Sequence, residues 1–425
     1  MKIESLLADL IQIQSVNPPG SETEVANYLK RLFDEYHIPN EIIEPSPGRG
    51  SFLAYLGEGE KRLLYLSHTD VVPAAEGWSF APFSGEIKDG FVHGRGALDC
   101  KGLVAAEACA VINLARSTKF RGRLIFAATA DEETGGTLGV KYLVENYKGK
   151  IMADFAINEG GNEPLRIGNR TCQFIQSGEK GPAWVKLKVG GVSSHGSLPM
   201  LGDNAVVKMA EVIKGLARYQ PKITLIPEVR QLIQAVAEIG GFDNAINEEN
   251  VDQAIDGLED KIFAGYLTAI TRMTVSPNMV HGGVKTNIVP DNCEAELDIR
   301  VLPGQDKEYI AKELGRITGN AEMEFKQYSA PTFSTSDSEF YRLVSDALKE
   351  TTGDAMILPC ISSGATDSRF LRGIGIPCYG IGMMALNLDP TMRQSVHGRD
   401  ERIDIDSLRL KSDFLTKVAR MYLED

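Results

Sequence analysis

The sequence has little that would suit a secreted, membrane-bound or nucleic-acid-binding protein. Its six cysteines are scattered over 425 residues and form no C-x-x-C pair, which is typical of reduced thiols, so we expect a cytoplasmic protein. No run of about eighteen apolar residues occurs, and we expect no membrane span. The amino-terminal segment carries Glu4 and Asp9 and lacks the apolar core of a signal peptide. A formal net charge of −13 opposes binding to nucleic acid or to anionic lipid.

A phosphate-binding loop is also missing. Gly94 and Gly96 begin a glycine-rich pattern, but Asp99 stands where G-x-G-x-x-G needs its third glycine. This departure argues against a nucleotide-binding enzyme. The chain does have 43% hydrophobic and 24% charged residues, a balance typical of globular proteins, and it is long enough for two or three domains.

The order of predicted elements indicates two domains. The first 180 residues alternate strand-like segments (62–67, 123–130, 154–158) with helix-like ones (22–36, 102–116, 137–147). This alternation predicts an α/β domain with a parallel or mixed sheet. Beyond Gly181, alternating apolar and polar residues predict strands with one solvated face. We therefore expect an α/β domain of residues 1–181 and 304–425, interrupted by a smaller α+β domain of residues 182–303.

The first chemically informative position is a histidine at a predicted strand end. His68 and Asp70 face the same side, because residues i and i+2 of a strand do so. Asp70 can then accept a hydrogen bond from one ring nitrogen of His68 and leave the other nitrogen for a metal. A histidine that only makes a structural hydrogen bond is the alternative.

Carboxylates follow the same pattern at three more places. Asp99 precedes a predicted helix, where it can bridge two metals or cap the helix. The acids 131–133 directly follow a strand, and their mutual repulsion is costly unless a cation neutralises it; a solvated acidic loop is the alternative. Glu159 ends another strand, and His397 precedes the last helix. Functional groups gather at the carboxyl ends of strands in such sheets, and two histidines with three carboxylates suit zinc or a similar metal.

Taken in order, these motifs resemble one family. The segments H-T-D, G-R-G-x-x-D-x-K-G, D-E-E-x-G-G, N-E-G and H-G occur in the order typical of the dinuclear-zinc aminoacylases, carboxypeptidases, acetylornithine deacetylases and succinyl-diaminopimelate desuccinylases. The resemblance covers nearly the whole chain. It implies a zinc-peptidase-like catalytic domain with a mixed sheet, interrupted by a lid and dimerisation domain. It also implies a homodimer with two divalent metal ions, Zn²⁺ first and Co²⁺ or Mn²⁺ as alternatives.

The resemblance implies roles for individual residues. One metal is held by His68 and Glu159, the other by Glu133 and His397, and Asp99 bridges the two. In the same scheme Asp70 orients His68, Glu132 is the general base that activates water, and a cis peptide bond follows Asp99.

Four further residues are candidates for contact with the substrate. His195 lies in a segment that, by the resemblance, reaches the active site of the partner subunit and polarises the scissile carbonyl; a surface histidine is the alternative. Asn287 resembles a lid residue that contacts the substrate. Arg300 and Arg369 are candidates for gripping a substrate carboxylate. The alternatives are a solvated strand residue for Arg300 and a helix residue paired with Asp367 for Arg369.

The resulting hypothesis is a metal-dependent amidohydrolase. We expect it to cleave the amide bond of an N-acyl amino acid or of a small peptide with a free carboxylate. An acetylornithine deacetylase or a succinyl-diaminopimelate desuccinylase is the enzyme alternative, since these differ in the pocket rather than in the metal site. A non-catalytic binding protein on the same fold is the other alternative, and the presence of all five ligand candidates and the base disfavours it.

Overall fold

The computed structural model describes residues 1–116, 120–353, 355–382, 385, 392 and 394–424. The chain divides into two compact units. The first comprises Met1–Ser177, Phe333–Cys360 and Thr366–Asp425, and the second comprises Gly178–Thr332 and Ile361–Ala365. No described helix is both long and apolar enough to cross a bilayer. All six cysteines are free and buried.

The described strands, numbered in chain order, are β1 (Asn40–Ile43), β2 (Ser51–Leu56), β3 (Arg62–His68), β4 (Glu86–Lys88), β5 (Phe91–His93), β6 (Arg123–Thr129), β7 (Phe155–Asn158), β8 (Leu165–Ile167), β9 (Arg170–Glu179), β10 (Gly181–Gly190), β11 (Ser194–His195), β12 (Thr274–Gly282), β13 (Ile288–Val289), β14 (Asn292–Val301), β15 (Glu322–Tyr328), β16 (Thr332–Phe333), β17 (Met356–Ser362), β18 (Cys378–Ile381) and β19 (Arg402–Asp404).

The described α-helices are α1 (Ile3–Gln12), α2 (Glu22–Glu35), α3 (Lys101–Leu114), α4 (Val140–Asn146), α5 (Lys148–Ile151), α6 (Ala205–Arg218), α7 (Pro227–Ile239), α8 (Val251–Asp256), α9 (Lys261–Ile270), α10 (Lys307–Thr318), α11 (Glu339–Thr352), α12 (Ser368–Gly373) and α13 (Ile405–Leu423).

The large sheet is mixed, which confirms the predicted fold class. Its strand order is β1-β2-β6-β3-β7-β18-β9-β16, and β8 and β17 also pair with β9. The central strand β3 is parallel to both of its neighbours, β6 and β7. Its side chains alternate between two cores: Leu63 and Tyr65 belong to the core that includes α3 and α13, and Leu64 and Leu66 to the core that includes α4 and α12. Because the three strands are parallel, their carboxyl ends meet at one edge of the sheet.

A small antiparallel sheet joins two distant parts of the first unit. Its order is β19-β5-β4, and Arg402 lies opposite His93. The pairing places the glycine-rich segment that follows His93 beside the segment that precedes Arg402. Asp99 and His397, which lie in these two segments, are thereby held near each other although they are 298 positions apart (397 − 99).

The second unit is built on the antiparallel sheet β12-β14-β10-β15. One face packs on α6 and α10 through an apolar core that includes Leu187, Met209 and Leu314. The unit continues to Thr332, beyond the residue 303 expected from the sequence, because β15 pairs with β10 and α10 adds its apolar face to this core. Strand β12 begins at Thr274, shortly after α9 ends at Ile270.

Candidate metal centre

The first half of the centre is built around His68, the last residue of β3. Its Nδ1–H donates to the carbonyl oxygen of Asp70 at 3.0 Å and lies 3.4 Å from a carboxylate oxygen of the same residue. Because carbonyl oxygens only accept hydrogen bonds, this contact fixes Nδ1 as the donor and turns Nε2 toward the centre. There Nε2 lies 3.0 Å from Asp99 Oδ1 and 3.6 Å from Glu159 Oε1.

The second half is built around His397, whose backbone has a positive φ of 55°. Its Nε2 lies 3.0 Å from Asp99 Oδ2 and 3.2 Å from Glu133 Oε2. Asp99 therefore offers one oxygen to each histidine and connects the two halves. The peptide bond from Asp99 to Cys100 is cis, as the resemblance implied.

The donor set fits two divalent metal ions. Two ligand atoms that each lie about 2.0–2.2 Å from a tetrahedral zinc are about 3.3–3.6 Å apart, close to the separations within each half. His68, Asp99 and Glu133 also bring one ligand atom each within 4.8 Å of one another. Glu133 Oε1 is buried and has no hydrogen-bond partner in the described part of the chain, which leaves an acceptor that a cation can satisfy.

Asp70 connects His68 to the acidic turn after β6. Its Oδ1 accepts the backbone N–H of Glu132 at 3.2 Å, and its Oδ2 accepts that of Glu133 at 3.1 Å. Oδ2 also accepts the side-chain amide of Asn17 at 2.8 Å. Asp70 thus orients the histidine through its carbonyl oxygen, and its fully buried carboxylate orients the turn that carries two candidate functional acids.

An arginine whose side chain is 11% exposed holds the other side of this turn. Arg49 donates twice to Glu22 at 2.8 Å and once to Asp131 Oδ1 at 2.6 Å. Asp131 has a left-handed backbone, with φ 73°, and its Oδ2 accepts the N–H of Leu138 at 2.8 Å. A non-glycine residue with positive φ needs such support from its surroundings, so Arg49 stabilises the conformation that positions Glu132.

Glu401 fixes the segment that carries Asp99. Its buried carboxylate accepts the backbone N–H groups of Gly96, Leu98 and Asp99 at 2.8–3.1 Å. It also accepts Arg95 Nη1 at 2.6 Å, while Arg95 Nη2 donates to the carbonyl of Gly398 at 2.7 Å. The same pair of residues therefore holds both Asp99 and the chain next to His397.

The electrostatics of the centre favour cation binding. Hydrogen bonds to Asp99 and Glu133 raise the pKa of His397 to about 10. Burial and the nearby Glu159 carboxylate raise the pKa of Glu132 well above its usual value. Burial also raises the pKa of Asp367 to about 7, and neither of its oxygens has a hydrogen-bond partner among the described residues. Acids packed this closely are stabilised by added positive charge.

Comparison with known proteins identifies the family. A family model described as Peptidase family M20/M25/M40 matches residues 64–421. The chain belongs to this family. It is a hydrolase that acts on amide bonds, as the sequence predicted.

Three related proteins show how far the likeness extends. A probable succinyl-diaminopimelate desuccinylase of Staphylococcus aureus is 26% identical over 433 residues, covering 99% of this chain and 97% of that protein. The M20 metallo-carboxypeptidase Sso-CP2 of Sulfolobus solfataricus has a TM-score of 0.74 at 23% identity, covering 99% of both chains. A dinuclear metal binding peptidase of Bacillus subtilis has a TM-score of 0.66 at 16% identity, covering 99% of this chain and 98% of that one.

The substrate-contact candidates of this M20 chain lie in varied surroundings. In the second unit, His195 and Asn287 are exposed, and Arg300 makes two hydrogen bonds to Asp298 at 2.7 and 2.9 Å. In the first unit, Arg369 donates to the carbonyl oxygens of Thr366 and Gly135 at 2.9 and 3.0 Å. Arg369 thus braces the acidic turn, and its role toward a substrate carboxylate stays a prediction.

Sequence reasoning missed the residues that hold the M20 centre in place. Asn17 and Arg49 contact it from segments that show no metal-binding pattern. Arg95 lies inside the G-R-G-x-x-D-x-K-G motif, but sequence reasoning gave it no role. Glu401 lies only four positions after His397, so its nearness in the chain was a usable signal. For Arg49 the sequence offers none, because its contacts with Glu22 and Asp131 join three distant segments.

Proposed function

We propose that this chain is a metal-dependent amidohydrolase that binds two divalent metal ions, Zn²⁺ first, and cleaves an N-acyl amino acid or a small peptide with a free carboxylate. The observation that carries the proposal is the pair of donor sets that share Asp99, with Glu132 beside them. His68 and Glu159 would hold one ion, Glu133 and His397 the other, and Asp99 both. Metal ions bound there supply Lewis acidity, which lowers the pKa of a water molecule and polarises the amide carbonyl.

Glu132 is proposed as the general base. It would take a proton from the attacking water and pass it to the leaving amine. Two features support this role. Its backbone N–H donates to Asp70 next to the ligand candidate Glu133, and burial together with the nearby Glu159 carboxylate raises its pKa, so that the carboxylate takes up a proton more readily. His195 of a second copy would stabilise the developing oxyanion.

A homodimer through the second unit completes this proposal. The edge strand β12 is largely exposed, and apolar side chains project from it and from α6, including Val206, Val207, Met279 and Val280. Exposed apolar side chains beside an open strand edge suit pairing with a second copy. His195 is exposed in the same unit, which suits a residue that acts in trans. The six free, buried cysteines support a reducing, cytoplasmic location.

The candidate activities would be decided by the residues that contact the substrate rather than by the metal ligands. Asn287, Arg300 and Arg369 are the proposed contacts with the substrate, and an arginine can grip a carboxylate bidentately. A succinyl-diaminopimelate desuccinylase is the second candidate, supported by the name of the Staphylococcus aureus relative at 26% identity. An acetylornithine deacetylase rests on the sequence resemblance alone.

The test is a hydrolysis screen with zinc-loaded protein. N-acetyl amino acids, dipeptides and N-succinyl-diaminopimelate are offered to the wild type and to Glu132→Gln. We expect turnover of at least one class by the wild type, and a loss of about 10²–10⁴-fold in the variant with its metal content retained. Wild-type rates in a zinc-loaded Glu132→Gln protein would show that the base is another residue. No hydrolysis by the metal-loaded wild type would reject the amidohydrolase proposal.

A further inference from the structure

A cavity of about 250 Å³ lies on the solvated face of the second unit's sheet. It forms where the two outer strands, β12 and β15, each have an irregular register at the same level. The register of β12 with β14 shifts between Pro277 and Met279, and that of β15 with β10 shifts between Trp184 and Val185. Both shifts lie beside Leu297 of β14. Bulges redirect side chains and are frequent at sheet edges and next to active sites, so the cavity between these two is a candidate binding site.

Apolar side chains form much of the cavity wall. Trp184 is 50% exposed and Met279 is 48% exposed, and the buried Val185 and Leu297 also line the cavity. An exposed tryptophan is typical of a binding surface, because its rigid ring offers a large contact area. The cavity is smaller than the roughly 300–1,000 Å³ of sites for drug-sized ligands, so its size suits a single amino acid.

Two acids share one cation on the β14 side of Trp184. Lys186 lies 2.8 Å from Glu294 and 3.7 Å from Glu296, so two carboxylates contact a single ammonium. Glu296 lines the cavity, makes the longer of the two contacts and has a side chain that is 42% exposed. The other acid in the wall, Asp298, already accepts two hydrogen bonds from an arginine of its own strand, at 2.7 and 2.9 Å. Glu296 can therefore accept a hydrogen bond from a further cation.

Two cations share one acid on the β15 side. Lys326 and Lys188 lie 2.7 and 3.0 Å from Glu324, and their hydrogen bonds lower the pKa of that carboxyl to about 2. Lys326 lines the cavity, and its ammonium has three N–H donors, so it can contact a second anion. Strands β14 and β15 lie on either side of β10, about 9–10 Å apart. Glu296 and Lys326 therefore present opposite charges across Trp184.

We propose that this cavity binds a free amino acid with an apolar side chain, whose ammonium contacts Glu296, whose carboxylate contacts Lys326 and whose side chain packs on Trp184. A zwitterion carries both of the charges that the two sides of the cavity lack. A simple amine or a simple carboxylic acid matches one side and leaves the other unmatched. The site does not depend on the proposed amidohydrolase function, because none of its residues is a metal-ligand candidate. Edge-to-edge pairing of β12 with a second copy would extend the sheet and leave this face open.

The first experiment compares three ligands that differ by one charged group. Phenylalanine, 2-phenylethylamine and 3-phenylpropanoate are titrated into the zinc-loaded protein, and tryptophan fluorescence and calorimetry measure their binding. Trp184 is one of two tryptophans, so contact with its ring should change the emission. Phenylalanine should bind about three- to tenfold more tightly than either analogue, the effect of one partly exposed contact between charged groups. Glycine, which lacks the apolar side chain, should bind more weakly than phenylalanine.

Variants of the cavity wall test the role of each group. Glu296→Gln should lower the affinity for phenylalanine to that for 3-phenylpropanoate, and Lys326→Met should lower it to that for 2-phenylethylamine. Trp184→Ala should abolish saturable binding. Lys188→Met is the matched control, because it removes the other cation of Glu324 but lies outside the cavity, and it should keep the wild-type affinity. Circular dichroism shows whether each variant is folded.

Three results would overturn the proposed site. They are no saturable binding of phenylalanine by the wild type, equal affinity for phenylalanine and one of its analogues, and binding that is unchanged in both Trp184→Ala and Glu296→Gln. The third result would place the amino acid elsewhere, such as at the metal centre. Each of them leaves the test of amide hydrolysis unaffected. Selective binding of phenylalanine by a protein that hydrolyses no amide would uphold this site and reject the proposed reaction.

Discussion

The candidate residues of the two units differ in how they are held. In the first unit, His68, Asp99 and Glu133 are largely enclosed, and each contacts groups from distant parts of the chain. In the second unit, His195 is exposed, and its Nδ1 contacts the hydroxyl of Ser197, two residues away, at 2.8 Å. The first arrangement is held together by contacts within one chain. The second leaves a polar side chain available to a partner, which is what a contribution in trans requires.

The charged pairs of the two units differ in the same way. Arg49 is 11% exposed and joins two buried acids, whereas Lys188 and Glu324 of the second unit are 33% and 40% exposed. Burial determines what such a pair contributes. Removing one partner of a buried pair leaves a desolvated charge, but an exposed pair contributes at most about 1 kcal/mol because water screens it.

After the proposed base Glu132, the largest expected effect concerns His195. Its replacement by alanine should lower kcat by about 10²–10³-fold, the usual result of removing one donor to an oxyanion, while both metal ions stay bound. Steady-state kinetics and metal analysis of the same sample measure the two quantities. A loss of metal would place His195 among the ligands, and an unchanged kcat would make it a surface histidine.

Hybrid dimers of two variants test whether His195 acts in the site of the partner subunit. If His195 acts in trans, co-expressed His195→Ala and Glu132→Gln chains should form hybrid dimers in which one of the two sites is intact. Activity should then return well above that of either variant alone. Failure to recover activity in purified hybrid dimers would mean that His195 serves its own subunit.

The next effect concerns Arg49. Arg49→Met should leave Glu22 and Asp131 without their cation and loosen the turn that carries Glu132 and Glu133. We expect a 10- to 100-fold loss of metal affinity or of kcat/KM, as is usual for residues that support metal ligands. Arg342→Met, which removes an exposed pair with Asp337, is the control and should change neither quantity. Wild-type metal affinity and kinetics in Arg49→Met would show that the turn holds its shape without the arginine.

Metal uptake should depend on pH in one direction. Hydrogen bonds to Asp99 and Glu133 raise the pKa of His397 to about 10, so in the metal-free protein this ring holds a proton at neutral pH. A metal must displace that proton, and apparent affinity should therefore rise about tenfold per pH unit for each proton released, until the pH approaches 10. Chelator competition at pH 6.5, 7.5 and 8.5 measures the slope. An affinity that falls with rising pH would contradict the protonated state of the ring.

The same comparison explains what the sequence could and could not predict. Acids and histidines at strand ends, such as His68 and Glu159, are recognisable because the parallel strands of one sheet end at one edge. Supporting contacts such as that of Arg49 with Asp131 join residues 82 positions apart, and no local sequence pattern predicts them. The second unit extends to Thr332 rather than to residue 303 for a similar reason, because the pairing of β15 with β10 joins strands that are far apart in the sequence.

The smallest expected effect lies on the solvated sheet of the second unit. Lys188 ion-pairs with Glu324 at 3.0 Å across β10 and β15, where both side chains are partly exposed. Lys188→Met should leave the free energy of unfolding nearly unchanged, because exposed pairs are screened and ordering two flexible side chains offsets much of their attraction. Denaturant unfolding in low and high salt measures this, and added salt should shrink the difference further. A loss of stability as large as that expected for breaking a buried ion pair would mean that this face is covered in the working protein, and would place a second interface on the sheet.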